Sequence, residues 1–311
     1  MVLNFQYHIF LQKIDNIFDI VYNFIIYLFY KENHMIFDIH AAARKKMFIV
    51  AHRGTPGGNI PCNPIASYEI ALDQGADMIE VDVNITRDGV LIIFHPDMEK
   101  AHLDLDYCLS DMTWNEVSKL RFVNMDNVPT QFGICRFDDF LEHFKDRCFI
   151  NIDKFWEHPQ EIYEAIRAHD MIDQVLVKST ISDDVLTVLS TLAPELPFMP
   201  IVNGAHPFHE QLMHMNINYV GVEVLFNDES MEVASAEFID RMHRDGKLVW
   251  VNSIIYNYRD QLSGGHSDDT ALCSDMDDGW GWLARRGFDF IQTDWPLMLK
   301  MYLEQNNLLY R

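Results

Sequence analysis

From Met47 onward the sequence predicts an α/β fold, a closed parallel (β/α)8 TIM barrel, and three observations carry that prediction. Short β-branched runs alternate with amphipathic segments, the runs number eight, and the second run is followed by a tight turn and a return strand instead of a helix. Regular alternation of strand and helix periods implies a parallel sheet with crossover helices, and eight such units imply closure into a barrel. An open doubly wound sheet is the architectural alternative. Residues 47–300 match the about 250 residues of a single α/β barrel. Hydrophobic residues make up 49% of the 311-residue chain, enough to fill a complete core.

Taken in order, Phe48–His52 (FIVAH) reads as the first strand, Ala66–Gln74 as a helix stopped by Gly75, and Met78–Val83 (MIEVDV) as the second strand. Leu91–His95 (LIIFH) follows after only Asn84–Val90, too short a gap for a crossover helix, and Asp88-Gly89 is a hairpin turn signal. This return strand is therefore expected to run antiparallel to the second strand. Counting back from the turn sets His95 level with Asp82 or Glu80. The remaining strands are Phe149–Asp153, Val175–Ser179, Phe198–Val202, Tyr219–Val224, Leu248–Asn252 and Phe290–Thr293. Helical spacing marks Asp138–Lys145, Gln160–Ala168, Asp183–Leu192 and Ala236–Arg244 between them. Two long connections, Pro96–Arg147 and Tyr256–Gly279, follow strand ends, where barrel loops shape a substrate site.

Residues 1–46 read as a leader or helical extension, separate from a 47–311 barrel domain and dispensable to it. The apolar run Ile20–Tyr30 falls short of the about 20 residues that span a bilayer. It suits the core of an export signal with Ala41–Ala43 as the cleavage region, a packed or interfacial helix, or an over-long leader ahead of a start at Met35 or Met47. The 5 cysteines are odd in number and form no C-x-x-C pair. That usage gives no sign of a disulfide framework or a zinc site and suits a reducing, cytoplasmic compartment, with export left open by the leader. A formal charge of −23 argues against nucleic acid or an anionic membrane surface as partner, and the leader leaves another form of membrane association open. A small anionic substrate would need positive charge supplied within its own site. The oligomeric state cannot be read from the sequence.

Glu80 and Asp82 stand two apart on one strand and so point to the same face. On the inside of a barrel, such a pair would repel and raise each other's pKa unless a cation joined them. Oxygen donors suit a hard cation, Mg²⁺ or Ca²⁺. An isolated E-x-D also suits a half-buried strand whose acids meet arginines. His52-Arg53-Gly54 ends the first strand, where barrel enzymes keep reactive groups. An arginine there can grip a phosphate bidentately, and a histidine titrates near neutral pH. His-Arg-Gly by itself is a weak tripeptide, and His95 by itself suits a structural or surface role. Glu223, Trp250 and Asn252 lie near the ends of late strands and are candidates to line a substrate cavity, and core packing would equally place Trp250. The acidic stretch Asp268–Asp278 reads as a solvated loop, with a cover over the site as the alternative, and Trp295 reads as packing on the barrel's lip.

Together the motifs are specific. His52-Arg53, Glu80-x-Asp82 and His95, set in I-V-A-H-R-G at 49–54, G-A-D-M-I-E-V-D-V at 75–83 and T-R-D-G-V at 86–90, resemble the signature of glycerophosphodiester phosphodiesterases. Ile150-Asn151-Ile152-Asp153 resembles that family's third acidic strand and Thr293-Asp294-Trp295-Pro296 its closing T-D-x-P, so the resemblance runs from Met47 to about Lys300. It implies a small-molecule phosphodiester substrate and one divalent cation, Mg²⁺ or Ca²⁺, held by Glu80, Asp82 and Asp153. It also implies His52 and His95 as the acid–base pair and Arg53 on the phosphate. Phospholipase D-like, sphingomyelinase D-like or sugar-phosphodiester hydrolases share this arrangement, and a barrel that binds without turnover is the rival of another class. Four departures stand out: Pro61-Cys62-Asn63 where the family has P-E-N, His95-Pro96 where it has H-D, Asp153 where glutamate is common, and Lys154 where the family's lysine comes two residues after the acid. In a regular strand Lys154 points outward, so Lys178 is expected to supply the inward positive charge.

Overall fold

The structure, a computed structural model, describes residues 37–257 and 259–311. The compact unit begins at Phe37. Its eight parallel strands are β1 (Phe48–His52), β2 (Met78–Ile85), β5 (Phe149–Asp153), β6 (Val175–Ser179), β7 (Phe198–Asn203), β8 (Gly221–Leu225), β9 (Leu248–Asn252) and β10 (Phe290–Thr293). They neighbour one another in chain order, and β1 pairs with both β2 and β10, so the sheet closes. The closed barrel stands, and the open-sheet alternative falls. Helices α2 (Ile65–Asp73), α5 (Phe137–Phe144), α6 (Pro159–Ala168), α7 (Asp183–Thr191), α8 (His209–Met213), α9 (Ala236–Arg244) and α12 (Pro296–Gln305) wrap the outside. Their sequence signals are local. Ser182 and Ser235 cap α7 and α9 by accepting the N–H of Val185 and Phe238, and α5 turns Phe137, Phe140, Leu141 and Phe144 to the sheet.

The hairpin after β2 forms at Asp88-Gly89. Gly89 has φ +83°, the Thr86 N–H donates to the Val90 carbonyl at 2.9 Å, and β3 (Leu91–Ile93) runs back antiparallel. A third strand that periodicity did not mark, β4 (Cys135–Arg136), extends this side sheet by pairing with β3. The connection between them carries α3 (Glu99–Leu103) and α4 (Trp114–Val117). It closes a small core of its own around Phe94, Leu103, Leu109, Val117 and Phe122. The register corrects one expectation. Val83 faces Ile93, and Phe94 donates its N–H to the Asp82 carbonyl at 3.1 Å, so Phe94 is level with Asp82 and His95 lies past the strand's end.

Inside the barrel the strands alternate with period two, and the inward row changes character with height. Ile49, Ala51, Ile79, Val81, Ile150, Ile152, Val222 and Val249 face outward into the helix-side cores. Phe48, Val50, Met78, Phe149, Leu176, Met199, Leu248, Trp250 and Phe290 fill the base. His52, Glu80, Asp153, Lys178, Glu223, Asn252 and Gln292 occupy the upper end, the C-terminal end of the strands. The base is plugged from below. Asp38 caps α1 (Ile39–Ala43) by accepting the Ala41 N–H at 2.9 Å, Ile39 and Ala43 enter the basal cluster, and Phe37 meets Phe149 edge-on at 5.0 Å. The boundary expected at Met47 therefore moves to Phe37. Residues 37–46 belong to the barrel, and Ala41–Ala43 lie in this helix with Ala43 fully buried. The run Ile20–Tyr30 and Met35 lie outside the described residues.

This placement makes α1 a stabilising element. Replacing Ile39 by alanine should cost about 2 kcal/mol of unfolding free energy, the low end for a buried isoleucine. A chain begun at Met47 should lose more than that, whereas one begun at Phe37 should keep full stability. Urea denaturation of the three proteins checks the order, and equal midpoints for the Met47 and Phe37 chains would remove α1 from the fold's support.

Candidate active site

Three carboxylates meet at the top of the barrel. Glu80 and Asp82 point inward from β2, and Asp153 stands level with Asp82 on the adjoining β5. One oxygen from each lies within 4.8 Å of the others, close enough to share a single ion. Glu80 and Asp82 are buried, and both Asp82 oxygens lack a hydrogen-bond donor. Burial, and next the charge of Asp82, push the Glu80 carboxyl up to about 7. An oxygen-only set of acids, with buried lone pairs unmet by any donor, is what a hard divalent cation accepts, so the residues present fit the metal that the motif implies.

Arg53 is built into this cluster by its backbone. Its φ is +55°, and that turn aims its N–H at Glu80 Oε2, 3.0 Å away, while its side chain brings Nε within 2.8 Å of Asp82 Oδ2. The guanidinium contact is an ion pair without hydrogen-bond alignment. Gly54 continues the turn at φ +79°, and a Cβ there would stand 2.5 Å from Ser67 Oγ, so only glycine lets β1 hand over to α2 this tightly.

The two histidines differ in setting. His52 Nδ1 lies 2.8 Å from Asp294 Oδ1; a carboxylate only accepts, so Nδ1 carries the hydrogen and Nε2 is the free edge. Against burial, the Asp294 hydrogen bond and then the Glu80 charge hold the His52 pKa above the ordinary histidine value. His95 Nδ1 donates to the Pro96 carbonyl at 2.6 Å, which again leaves Nε2 free. Burial is the main cause that holds its pKa below the ordinary value, with Arg53 and Lys154 adding to it. Both rings line one cavity of ≈ 100 Å³ together with Arg53, Glu80 and Asp153.

The placement of the lysines corrects the strand-based expectation. Lys154 does not point outward. It adopts φ +62°, turns into the cavity and puts Nζ 3.3 Å from Asp153 Oδ2, with the Trp156 ring 4.9 Å away. Burial opposes the Asp153 carboxylate, yet Lys154 and then Lys178 hold its pKa below the usual range. Lys178 does enter the cavity wall, but its ion pair is with Glu223, at 2.7 Å, and it also reaches Gln292 Oε1 at 3.3 Å. Glu223 and Asn252 line the cavity as expected, and Asn252 Nδ2 donates to Glu223 Oε1 at 2.6 Å. Trp250 does not line it. Fully buried beneath, it holds the Asn252 carbonyl at 3.1 Å and offers its ring to Lys178, 3.9 Å from the ammonium.

Two acids escaped the sequence reading. Asp294 follows β10 and orients His52; its signal was the Thr293-Asp294 pair at a strand end. Asp268, read as one acid of a solvated loop, is buried. Its carboxylate accepts from Ser253 Oγ (2.6 Å), Trp280 Nε1 (2.7 Å), Thr293 Oγ1 (2.8 Å) and the Asp294 N–H (2.9 Å), and so fixes the turn that carries Asp294. Asp269, Asp275, Asp277 and Asp278 are exposed as expected, but the stretch is not a loop: Asp268–Cys273 forms helix α10, capped by Ser267, and Asp277–Gly281 a π-helical turn. Trp295 is 51% exposed and does not pack on the lip.

The profile of the Glycerophosphoryl diester phosphodiesterase family matches residues 52–298. The chain belongs to this family. Among its relatives, a glycerophosphodiester phosphodiesterase of Caldanaerobacter subterraneus subsp. tengcongensis is 28% identical over 145 residues, 43% of this chain and 58% of that protein. The chain thus matches little more than half the length of that curated relative. Two solved structures share the fold. A glycerophosphoryl diester phosphodiesterase from Parabacteroides distasonis superposes with a TM-score of 0.72 at 17% identity, covering 88% of this chain and 94% of the other. A phosphodiesterase from Oleispira antarctica, solved in complex with the product sn-glycerol-3-phosphate, gives 0.60 at 20% identity, covering 83% and 96%. The site residues lie within the family match, from His52 at its first position to Asp294 near its end.

The raised Glu80 pKa has a consequence for stability. A carboxyl whose folded pKa lies above its unfolded 4.5 destabilises the fold increasingly as pH rises from 4.5 to about 7, and fully above that. In EDTA, Glu80→Gln should therefore be more stable than the native chain by about 1–3 kcal/mol at pH 8 and by nothing measurable at pH 4. Added Mg²⁺ or Ca²⁺ should close the gap by stabilising the native chain alone. Thermal unfolding at the two pH values checks this, and a gap that persists with saturating cation would show that these acids do not hold one.

Proposed function

We propose that this protein hydrolyses a glycerophosphodiester to an alcohol and glycerol phosphate. In this reading Glu80, Asp82 and Asp153 hold one divalent cation, Mg²⁺ or Ca²⁺, and His52 and His95 are the acid–base pair. The observation that carries it is the convergence on one cavity of a three-carboxylate cluster, two histidines with free Nε2 edges, and the cations Arg53 and Lys154. When bound, the cation supplies charge neutralisation and polarisation at a phosphate oxygen. Arg53 and Lys154 orient the phosphodiester anion and offset the charge that grows on it. His95, neutral with an open Nε2, takes the proton from the attacking hydroxyl, a water or a neighbouring hydroxyl of the substrate. His52, whose protonated form the Asp294 contact favours, gives a proton from Nε2 to the departing alkoxide. A lowered pKa favours the base form of His95 and a raised one the acid form of His52. Lys178, Glu223 and Asn252 form the opposite wall, where a substrate's polar groups find donors and acceptors.

A second reading, phospholipase D-like cleavage of a lysophospholipid, is favoured by one observation. Beside the site, a mostly apolar cavity of ≈ 260 Å³ lies between residues 56–62 and Ala101, Val123 and Met125, with Cys62 in its wall instead of the glutamate common in the family. Turnover of a panel of glycerophosphodiesters and lysophospholipids, with Mg²⁺, with Ca²⁺ and in EDTA, tests both readings. Preference for lysophospholipids selects the second, and binding without turnover of any phosphodiester would leave a ligand-binding barrel.

The pH profile of kcat/KM should be a bell. It rises as His95 deprotonates below about 6.5 and falls as His52 deprotonates above it. His95→Ala should abolish the acid limb and His52→Ala the alkaline limb, each lowering kcat about 10²–10⁴-fold. Limbs lost the other way round would exchange the roles. The lysines should separate too. Lys154→Met should lower kcat/KM about 10–100-fold with little change in stability, whereas Lys178→Met strands Glu223 and should cost about 3–5 kcal/mol on denaturation. Equal behaviour of the two variants would contradict the division between them.

A further inference from the structure

At the opposite end of the barrel a cavity of ≈ 460 Å³ opens between α1, the turn after α9 and the start of β9. It is lined by His40, Arg44, His243, Lys247, Asp289 and Arg311. In a chain with 24 basic and 47 acidic residues, this lining inverts the overall balance. Its one carboxylate is already engaged: Asp289 Oδ2 accepts from His243 Nε2 at 2.9 Å and from the Val249 N–H at 2.8 Å, while Oδ1 takes the Arg311 guanidinium. Among the described residues neither Lys247 nor Arg44 forms an ion pair. The Lys247 ammonium donates to the Tyr219 carbonyl at 2.5 Å and lies 4.6 Å from the Tyr219 ring centre, so it is held in place by neutral groups alone. Asp245 and Asp38 are near enough to act through their charge on Lys247 and His40, yet burial still keeps both below their ordinary pKa, and Lys247 and Arg44 press His40 further down.

We propose that this cavity is an anion site for a phosphomonoester. A partly buried ammonium that forms no ion pair among the described residues, set beside a guanidinium and an imidazole, gains a partner when an anion arrives between them. A phosphate dianion supplies that pairing. Its oxygens accept from the planar Arg44 fork, the Lys247 ammonium and the His40 ring together, which a single carboxylate does less completely. The volume exceeds that of inorganic phosphate and admits a small organic group on one oxygen. The same chemistry has two sources, a soluble phosphate ester or the phosphomonoester headgroup of an anionic lipid. The site is separate from the catalytic cavity, and the inference does not depend on the reaction proposed there.

The test uses the full chain in EDTA, with the imidazole signals of His40, His243 and His52 followed by NMR. Inorganic phosphate and then sn-glycerol 3-phosphate are titrated in, and co-sedimentation is measured on phosphatidylcholine vesicles with and without phosphatidic acid. The expected result is a saturable shift at His40 and His243 with the soluble phosphates, or sedimentation that requires phosphatidic acid; which of the two occurs names the source. Arg44→Gln, at an exposed side chain, and Arg44→Gln/Lys247→Met should each weaken that binding, the double variant by at least about tenfold. Their His52 signals should stay unchanged and their thermal unfolding should remain a single cooperative transition, as controls for folding. His40 signals that do not move with either phosphate, combined with no sedimentation on phosphatidic acid, would overturn the proposal. So would a double variant that folds normally and binds as tightly as the native chain.

Discussion

Three carboxylates gathered at one point, two of them almost wholly buried, is the condition around which the upper half of this barrel is arranged. Glu80 and Asp82 are almost wholly buried, and Asp153 joins them within ion-sharing distance. Like charges so placed must be offset, and the chain does this from three directions. Arg53 approaches from β1 with both backbone N–H and guanidinium, Lys154 approaches from the end of β5, and Lys178 acts on Asp153 from β6. The offset is incomplete, because both Asp82 oxygens still lack a donor. The same incompleteness that destabilises the metal-free fold is what leaves room, in charge and in lone pairs, for a divalent cation.

The cluster can exist only because the strands keep strict alternation inside a closed barrel. On β2 the inward residues are Met78, Glu80 and Asp82 while Ile79, Val81 and Val83 enter the helix-side core. Phe149, Asn151 and Asp153 follow the same order on β5, and Trp250 with Asn252 on β9. Six of the eight strands thus place an apolar residue at the base and a polar one two residues higher, β7 (Met199, Ile201) and β8 (Gly221, Glu223) being the exceptions, and the shared register stacks these into an apolar floor and a largely polar chamber. Trp250 links the layers: its ring is part of the floor, yet it orders Asn252 and faces Lys178. The plug from α1 seals that floor, so the chamber opens only at the strand C-termini.

Much of this was legible in the sequence because it follows from local rules. Strand period, the Asp-Gly turn, and the two-residue spacing of Glu80 and Asp82 each bind neighbouring residues together, and the structure keeps them. The failures share a cause. Lys154 was sent outward by a rule that holds only inside a strand, but β5 ends at Asp153 and one residue in the left-handed region reverses the direction. Trp250 was undecided because alternation tells which face a residue takes, not how high it stands in the barrel. Asp268 hid among acids that really are solvated, and its burial rests on donors such as Ser253 and Trp280 that only the fold brings to it. Residues 37–46 carry too short an apolar pattern to announce that they complete a core supplied by other strands.

Asp268 also shows how the reactive geometry is maintained at a distance. His52 is oriented by Asp294, and Asp294 sits on the turn leaving β10, a place where chain direction is otherwise loosely held. By accepting four donors from β10, its exit turn, the segment after β9 and Trp280, the Asp268 carboxylate ties the last two barrel units to one point. Burial is the larger influence and holds its pKa above the usual carboxylate value, while these four donors work against that rise. The barrel therefore uses buried acids in two ways. Those left short of donors face the chamber and fit a cation, and Asp268, fully supplied with donors, lies behind the wall and holds a histidine's partner in place. What separates the two roles is the number of hydrogen-bond donors within reach, a property of the assembled fold that no single segment of the chain contains.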